Sequence, residues 1–413
     1  MLPLFSDYQS TSGEGVEFSN NLMVELTKTL PSASLIFELA ADWLAYDGKK
    51  PNTYASNRSE ITRFLNFFLI EKKQDIRELT RSDIYNYIEF LQNPPTELIT
   101  HVNRPQFKKD SCGQLQVNPD WRPFRSLTDD SGNPLPYTLS KASLKAALSK
   151  LSAFYDYIID EDITDRNPVR AILKRGVQAK AITKDEDEIK FMDQLQLNYF
   201  LSKAEALALE HPETHRRTLF LVKLMLSCYL RISEIATRPG YTPTFGAIRR
   251  KKDSQYWYYF IPESKSGLSR RVSLSKDMMD EVVSYRRTLG LSDYPSANEN
   301  IPLIASFRKQ NGTLANSNLG IRRIRDLIGE LFVEAGKEMA ADGFTEQGQE
   351  LSVLSPHALR HTGISVDLNY VGRPLKHVSE DAGHSSITTT EKYNHVSSNE
   401  RFESARMKGL FKF

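Results

Sequence analysis

The chain has 413 residues, of which 40% are hydrophobic and 26% charged, and its 54 basic and 52 acidic side chains leave a net charge of +2. This composition indicates a globular protein of two or three domains and excludes a disordered, collagen-like or coiled-coil chain. Two cysteines are too few for a disulfide framework, and the lack of a long apolar run or a charged-then-apolar leader predicts a cytoplasmic protein outside the membrane. The near-neutral charge gives no overall sign of an acidic partner such as nucleic acid.

The first part of the chain has the pattern of a small all-α domain. Residues 1–31 show no sustained period and are expected to be an N-terminal extension. Within residues 32–173, four amphipathic helices are predicted, which begin near Ser32, after Pro51, at Thr80 and at about Ser140. In each of them apolar side chains recur at three and four residues, which places them on one helix face. Thr80 followed by Asp83 is also the pattern of a helix N-cap.

An insertion rich in Pro, Asn, Asp and Gly interrupts this domain at about residues 93–138. A loop of this length inside a compact domain is normally functional or disordered. The segment Asp120-Trp121-Arg122-Pro123-Phe124 has the aromatic and cationic side chains to touch a partner, although packing onto the helices is the more frequent role of such side chains. The sequence leaves the function of the insertion open.

Residues 174–190 are predicted to be an exposed linker, because they begin basic, continue as an acidic run at 185–188 and contain few large apolar side chains. Residues 191–413 return to helical periods with one β-like interval. There the aromatic run Tyr256–Ile261 and the segment Val272–Leu274 flank a Ser-Lys-Ser-Gly turn, which predicts a hairpin. The expected fold is therefore mainly α, with a small β-sheet or hairpin in the second domain.

Four short motifs in the second domain have side chains suited to chemistry. Leu226–Ala236 places Arg231 and Glu234 three residues apart in an apolar helical stretch, where a cation must be paired or directed at a ligand. The other motifs are Ser-Pro-His-Ala-Leu-Arg-His-Thr at 355–362, Ala-Gly-His at 382–384 and the tyrosine at 393. Each motif alone is weak evidence, since a structural Arg231–Glu234 ion pair is equally consistent with the first.

Together and in this order, the motifs resemble those of the tyrosine recombinases, also called phage-type integrases. Members of that family show a Thr-Gly-Leu-Arg-Ile-Ser-Glu-like box, a Pro-His-x-Leu-Arg-His box, a Leu-Gly-His box and a nucleophilic tyrosine. This chain has Ser-Cys-Tyr-Leu-Arg-Ile-Ser-Glu in the first box and Ala382 in place of the usual leucine in the third. The resemblance implies a SAM-like all-α core-binding domain and a mixed α/β catalytic domain, which form a C-shaped clamp on DNA.

The resemblance also implies a catalytic set, which consists of Arg231, Lys265, His357, Arg360, His384 and Tyr393. The two arginines suit the anionic oxygens of a phosphodiester, where negative charge grows in the transition state. The tyrosine would attack the phosphorus, with His357 as the base that takes its proton and His384 as a hydrogen-bond donor to the phosphate. The lysine would protonate the leaving 5′ oxygen, and Glu234 would buttress the cluster. The product would be a 3′-phosphotyrosine, formed with no metal or other cofactor.

The expected partner is double-stranded DNA with specific recombination sites. Basic clusters are expected to contact its phosphates, although each cluster alone is equally consistent with a solvated surface. They comprise Arg249, Arg250, Lys251, Lys252, Arg270, Arg271, Arg322, Arg323 and Arg325. Apolar side chains in the tail at 394–413 predict, by the same resemblance, docking on a neighbouring subunit in a homo-oligomer, which we expect to be a tetramer on two DNA sites.

The sequence thus predicts a nucleoid-associated, site-specific DNA recombinase or integrase of the kind carried by mobile elements. Two alternatives stay open: a type IB topoisomerase that relaxes DNA with much the same residues, and a catalytically silent DNA-binding protein. Neither the DNA target nor the choice among integration, excision, resolution and transposition follows from the sequence.

Overall fold

The computed structural model describes residues 1–8, 17–47, 50–109, 111, 115–129, 131–175, 190–262, 269–306, 309–310, 313–314, 317–384 and 386–393. The chain divides into two compact units, Met1–Asp187 and Glu188–Phe413. Most of the predicted linker, at 176–189, and the whole predicted tail at 394–413 lie outside the described residues. None of the described helices has the length and apolar character needed to span a bilayer.

The first unit is mainly helical. Its helices are α1 (Glu17–Thr27), α2 (Ala33–Asp47), α3 (Pro51–Leu65), α4 (Arg81–Gln92), α5 (Lys141–Asp160) and α6 (Arg170–Arg175). The starts of α4 and α5 are set by side-chain caps, as the sequence predicts for Thr80. The Thr80 hydroxyl accepts from the backbone N–H of Asp83, whose carboxylate accepts in return from the N–H of Thr80 at 2.8 Å. The four predicted helices are therefore present, as α2 to α5.

The N-terminal segment differs from the expected extension, because it belongs to the core of the first unit. Leu4, Phe5 and Met23 are buried, and the ring of Phe5 stacks on that of Phe37 with centroids 5.0 Å apart. Helix α1 is only 11 residues long and includes two adjacent asparagines, so its apolar period is too short to be recognised in the sequence.

The insertion contains short strands that the sequence did not reveal. They are β1 (Ile99–Thr100), β2 (Phe107–Lys109), β3 (Leu115–Val117) and β4 (Phe124–Arg125). β1 pairs in parallel with β4, and β2 pairs antiparallel with β3. Phe124 is buried, with its ring edge-on to that of Phe90 at 5.4 Å, which confirms the predicted packing role for this side chain. Strands of two or three residues are too short to show an alternating pattern.

The second unit combines helices with a three-stranded sheet. Its helices are α7 (Gln194–Glu210), α8 (Pro212–Cys228), α9 (Ile232–Ile235), α10 (Lys276–Thr288), α11 (Ile321–Ala341), α12 (Thr345–Ser352), α13 (His357–Asn369), α14 (Leu375–Ala382) and α15 (Ile387–Glu391). Its strands are β5 (Ile248–Arg250), β6 (Trp257–Ile261), β7 (Arg270–Leu274), β8 (Lys309–Gln310) and β9 (Thr313–Leu314). The sheet order is β5-β6-β7, all antiparallel, so the predicted hairpin is confirmed as β6-β7.

The helical stretch predicted across 226–236 is broken in the structure. Helix α8 ends at Cys228, and Tyr229 adopts the left-handed conformation, with φ +49° and ψ +39°. This region favours glycine, so the tyrosine needs compensating contacts. Its ring is fully buried, and its hydroxyl bonds to Asp367 and accepts from Arg373 at 2.8 Å. The break places Arg231 in extended backbone just before α9, away from the helix that precedes it.

Candidate active site

The Glu234 carboxylate, which is 2% exposed, orients two arginines. It accepts hydrogen bonds from Nη1 and Nη2 of Arg270 at 2.6 and 2.7 Å. It also accepts from Nη1 of Arg231 at 3.2 Å and from the backbone N–H of Arg231 at 2.8 Å. Burial alone would raise the pKa of this carboxyl, but the bidentate Arg270 guanidinium holds that pKa below its usual value. Glu234 therefore stays ionised and fixes both guanidiniums.

Arg360 lies on α13 and is held by backbone carbonyls. Its side chain is 2% exposed, with Nη1 donating to the Tyr229 carbonyl and Nη2 donating to the Ala382 carbonyl at 2.6 Å. The preceding carbonyl in the chain, that of Asp381, accepts from Nε of Arg270 at 2.9 Å. The left-handed turn at Tyr229 and the end of α14 thus supply the backbone acceptors that position the site.

The site carries more positive than negative charge. Burial, followed by the positive charge of Arg231, lowers the pKa of Arg360. Within the described residues, Glu234 is the carboxylate that compensates Arg231, Arg270 and Arg360 together. A buried excess of guanidinium charge favours an anionic ligand, and the planar fork of donors matches phosphate.

Tyr393 is docked beside these cations within its own chain. The side chain is 4% exposed and packs in a cluster with Tyr229, Ile364 and Ala382. Its hydroxyl hydrogen-bonds to Nδ1 of His361, and the two rings lie 5.4 Å apart. Burial raises the pKa of the Tyr393 hydroxyl, and the neighbouring charges of Arg360 and Arg231 oppose this rise. The hydroxyl is thus held protonated next to a proton acceptor.

Two histidines that contact or flank the tyrosine are neutral near pH 7. Burial, then the charges of His357 and Arg360, lowers the pKa of His361 to about 4. Burial, then the charge of Arg360, likewise lowers the pKa of His384 to about 4. Nδ1 of His384 lies 2.7 Å from Oγ1 of Thr390. A hydroxyl donating to that nitrogen leaves the Nε2–H of His384 free to donate to a ligand.

Of the six expected catalytic residues, the structure groups Arg231, Arg360, His384 and Tyr393. His357 lies at the edge of the same cluster, since burial and then the charges of Arg360 and Arg231 lower its pKa. His357 is exposed at the start of α13, and its ring packs edge-on against His361 at 4.3 Å. Lys265 lies outside the described residues. His361 is a site residue that the sequence reasoning missed, although it lies within the Pro-His-Ala-Leu-Arg-His box. Its spacing of four residues from His357 places both on one helix face, which is the signal that could have revealed it.

The basic residues expected to contact DNA differ in how far their side chains are exposed. Arg270 differs from the expectation of a surface cation, since its side chain is 9% exposed and bound to Glu234. Arg249 is half-buried, donates to the Gly246 carbonyl at 3.0 Å and lies over the Phe260 ring. The remaining cations are exposed: Arg250, Lys251, Lys252, Arg271, Arg322, Arg323 and Arg325. Surface position is therefore compatible with DNA contact for these seven.

The turn after α14 requires glycine at 383. Gly383 has φ +64°, and a Cβ there would lie 2.9 Å from Cδ of Arg270. We expect Gly383→Ala to lower the free energy of unfolding by about 1–2 kcal/mol for the left-handed backbone alone. It should also displace Arg270 and so impair the site. Urea unfolding measures the loss of stability. An assay of the activity of this site measures the effect of displacing Arg270.

Gly290→Ala is the matched control for this change. Gly290 also has a positive φ, +70°, but a Cβ there would meet no atom within 4 Å. This control should lose stability without losing activity. Equal activities of the two variants would show that Arg270 tolerates the added methyl group.

Comparisons with known proteins identify similar chains. Residues 190–400 match the model of the phage integrase family. Tyrosine recombinase XerC of Chlorobaculum tepidum is 24% identical over 303 residues, which cover 71% of this chain and 82% of that protein. Tyrosine recombinase XerD of Rhizobium meliloti is 26% identical over 281 residues, which cover 65% of this chain and 78% of that protein.

A solved structure of the Tn1549 transposon integrase in complex with a circular intermediate DNA shares the fold. It aligns with a TM-score of 0.52 at 17% identity, covering 90% of this chain and 99% of that one.

Proposed function

The chain belongs to the phage integrase family, and from this premise we propose that it is a site-specific tyrosine recombinase. It cleaves and rejoins double-stranded DNA through a covalent 3′-phosphotyrosine. The observation that carries this proposal is the buried Tyr393, whose hydroxyl contacts a neutral histidine beside the guanidiniums of Arg231 and Arg360. These side chains supply a nucleophile, a proton acceptor and positive charge, which are the requirements of phosphodiester transfer.

In the proposed reaction, the scissile phosphate binds between the two arginines. Arg231 and Arg360 donate to its non-bridging oxygens, where negative charge grows as the tyrosine attacks. The Nε2–H of His384 donates to the same phosphate. Glu234 and the carbonyl of Ala382 act by holding the guanidiniums in place, and this fixed geometry lowers the reorganisation needed in the transition state.

The proton of the nucleophile passes to His361 in this proposal. As the bond from Tyr393 Oη to phosphorus forms, Nδ1 of His361 accepts the hydroxyl proton. The bond from phosphorus to the 5′ oxygen breaks, and we assign Lys265 to protonate that leaving oxygen. The hydrogen bond from Tyr393 to His361 supports this acceptor in place of His357, which contacts His361 instead.

Replacing His361 with glutamine is expected to slow cleavage. The variant keeps a hydrogen-bonding side chain but loses the proton acceptor, and general bases contribute about 10²- to 10⁴-fold to rate. Single-turnover formation of the covalent adduct on a nicked duplex measures this loss. His377→Gln, which changes an exposed histidine on α14, is the matched control. A His361→Gln rate equal to that of the control would return the role to His357.

The same variant has a second readout in acid. In the folded chain the pKa of His361 is about 4, below the value of about 6.5 for an unfolded chain. Between these values the unfolded chain binds a proton that the folded chain does not, so stability falls as the pH drops from about 6.5 to about 4. The free energy of unfolding, measured with urea at pH 7 and 4.5, should therefore change less in His361→Gln than in the wild type.

Two assays test the proposed function against topoisomerase activity. Nicked duplexes that tile the DNA flanking the gene are incubated with the protein in EDTA, and covalent adducts are resolved on a denaturing gel. A duplex that forms an adduct is then placed twice in a supercoiled plasmid. We expect exchange between the two sites. Relaxation without exchange would identify a type IB topoisomerase, and a folded protein that forms no adduct on any duplex would contradict both.

We further propose that the enzyme acts as a tetramer on two DNA sites at the nucleoid. The support is family membership and the solved Tn1549 integrase, which is in complex with DNA. The exposed cations from Arg250 to Lys252, Arg271 and those at the start of α11 are proposed phosphate contacts. A domain division at residues 174–190 and an oligomerising tail at 394–413 are further parts of this proposal.

A further inference from the structure

The insertion and the helices of the first unit enclose a cationic cleft. Its volume is about 400 Å³, and four arginines line it: Arg63, Arg104, Arg122 and Arg125. No aspartate or glutamate is among its lining residues in the described part of the chain. The whole chain has almost as many acidic as basic side chains, so a concave wall with four guanidiniums and no carboxylate is a strong local concentration of charge.

One of the four arginines has a structural role. The guanidinium of Arg63 pairs with Glu60, whose carboxylate also accepts from the hydroxyl of Tyr87 at 3.0 Å. Glu60 is fully buried, so this pair is a fixed part of the helical core. Arg63 therefore anchors the floor of the cleft, and its charge is already compensated.

The three arginines of the insertion remain available to a ligand. Nη1 of Arg122 donates to the carbonyls of Pro119 and Trp121 at 2.7 and 2.8 Å, which orients the guanidinium and leaves its charge uncompensated. Arg104 and Arg125 are exposed, and neither forms an ion pair with the described residues. Hydroxyl groups of Thr100 and Ser143 line the same cleft. Forked guanidiniums with neighbouring hydroxyls are the donor set that suits phosphate oxygens.

We propose that this cleft binds the sugar-phosphate backbone of duplex DNA, so that the insertion adds a DNA contact of its own to the first unit. The inference rests on the proposed function, because a DNA strand transferase must hold its duplex while it cuts. Charge complementarity supports this occupant, because a duplex backbone presents a continuous row of anionic phosphates to the three guanidiniums. A free phosphate ion or a nucleotide carries the same phosphate group as DNA. The experiment below distinguishes these small ligands from duplex DNA.

The test compares two triple variants of the full chain. The cleft variant carries Arg104→Ala, Arg122→Ala and Arg125→Ala. The control carries Lys28→Ala, Arg166→Ala and Arg170→Ala, three exposed cations of the same unit that pair with neighbouring carboxylates. Both variants lose three positive charges, so their overall electrostatic effects match. Circular dichroism and thermal melting confirm that each variant is folded.

The measurement is the affinity for a mixed-sequence duplex between 50 and 200 mM salt. Each phosphate contact contributes about 0.9 to the slope of log Kd against log salt, so the cleft variant should lose about 3 units of slope if each arginine binds one phosphate. The control should keep nearly the wild-type slope. Equal slopes for the two variants would overturn the proposal.

Inorganic phosphate and ATP probe the alternative sources of phosphate. Saturable binding of either probe that only the cleft variant loses, with DNA affinity unchanged, would identify a small-ligand site and overturn the DNA assignment. The wild-type covalent adduct on a nicked duplex reports on the proposed function separately. An adduct with equal slopes defeats only the cleft inference, whereas a selective loss of slope without any adduct defeats only the proposed function.

Discussion

Replacing Tyr393 with phenylalanine is expected to reduce the covalent protein–DNA adduct below detection. The hydroxyl is the proposed nucleophile, and no other group can take its place in a 3′-phosphotyrosine. Phenylalanine keeps the buried ring packed against Ile364 and Ala382 and loses only the bond to His361. Stability and DNA affinity should therefore remain close to wild type. A nicked duplex that traps the wild-type adduct on a denaturing gel measures the difference.

Tyr370→Phe provides the matched control. Tyr370 directly follows α13 in the same unit, and it is 68% exposed. This variant should form the adduct at the wild-type rate. An adduct that persists in Tyr393→Phe would show that a different residue attacks the phosphate.

Alanine at either Arg231 or Arg360 is the second large expected effect. Each guanidinium donates to the oxygens that gain charge, and loss of one such donor costs about 10²- to 10³-fold in rate. The two variants should differ in stability. Arg360→Ala leaves the buried carbonyls of Tyr229 and Ala382 without their donor, at a cost of about 1–3 kcal/mol for each unsatisfied group. Arg231→Ala removes one bond to Glu234, which still has Arg270 as its partner.

Adduct formation and urea unfolding are measured together for these variants. Arg360→Lys keeps the charge but cannot reach two carbonyls and a phosphate at once, so it should recover little activity. Arg287→Ala removes an exposed arginine from α10 of the same unit and serves as the control for net charge. Equal losses in the free energy of unfolding for Arg231→Ala and Arg360→Ala would show that the hydrogen bonds from Arg360 to the backbone do not contribute to stability.

Much of the site could be predicted because its chemistry is encoded in short motifs. The order of the boxes around Arg231, Arg360, His384 and Tyr393 indicated the family before any geometry was known. Regular amphipathic periods and capping residues such as Thr80 indicated the helices of the first unit. These features depend on neighbours in sequence, so they can be recognised without a structure.

The remaining features depend on partners that are distant in sequence. Arg270 looked like a surface cation because its partners, Glu234 and the Asp381 carbonyl, lie 36 and 111 residues away. The left-handed Tyr229 was hidden because no glycine marks the break in the helix. His361 was missed because its contact with Tyr393 joins two motifs 32 residues apart. Tertiary structure decides such cases, and local propensity does not.

The docking of Tyr393 against His361 of the same chain has a genetic consequence. In the proposed cleavage site, the described nucleophile and arginines lie on one polypeptide, so we expect one copy of the gene to encode them as an inseparable set. Two alleles with different defects, one in the tyrosine and one in Arg231, could not complement each other, since no chain in a mixed population would be intact. In the proposed oligomer, a mutation at this site is therefore recessive only if a wild-type chain stays active beside inactive neighbouring chains.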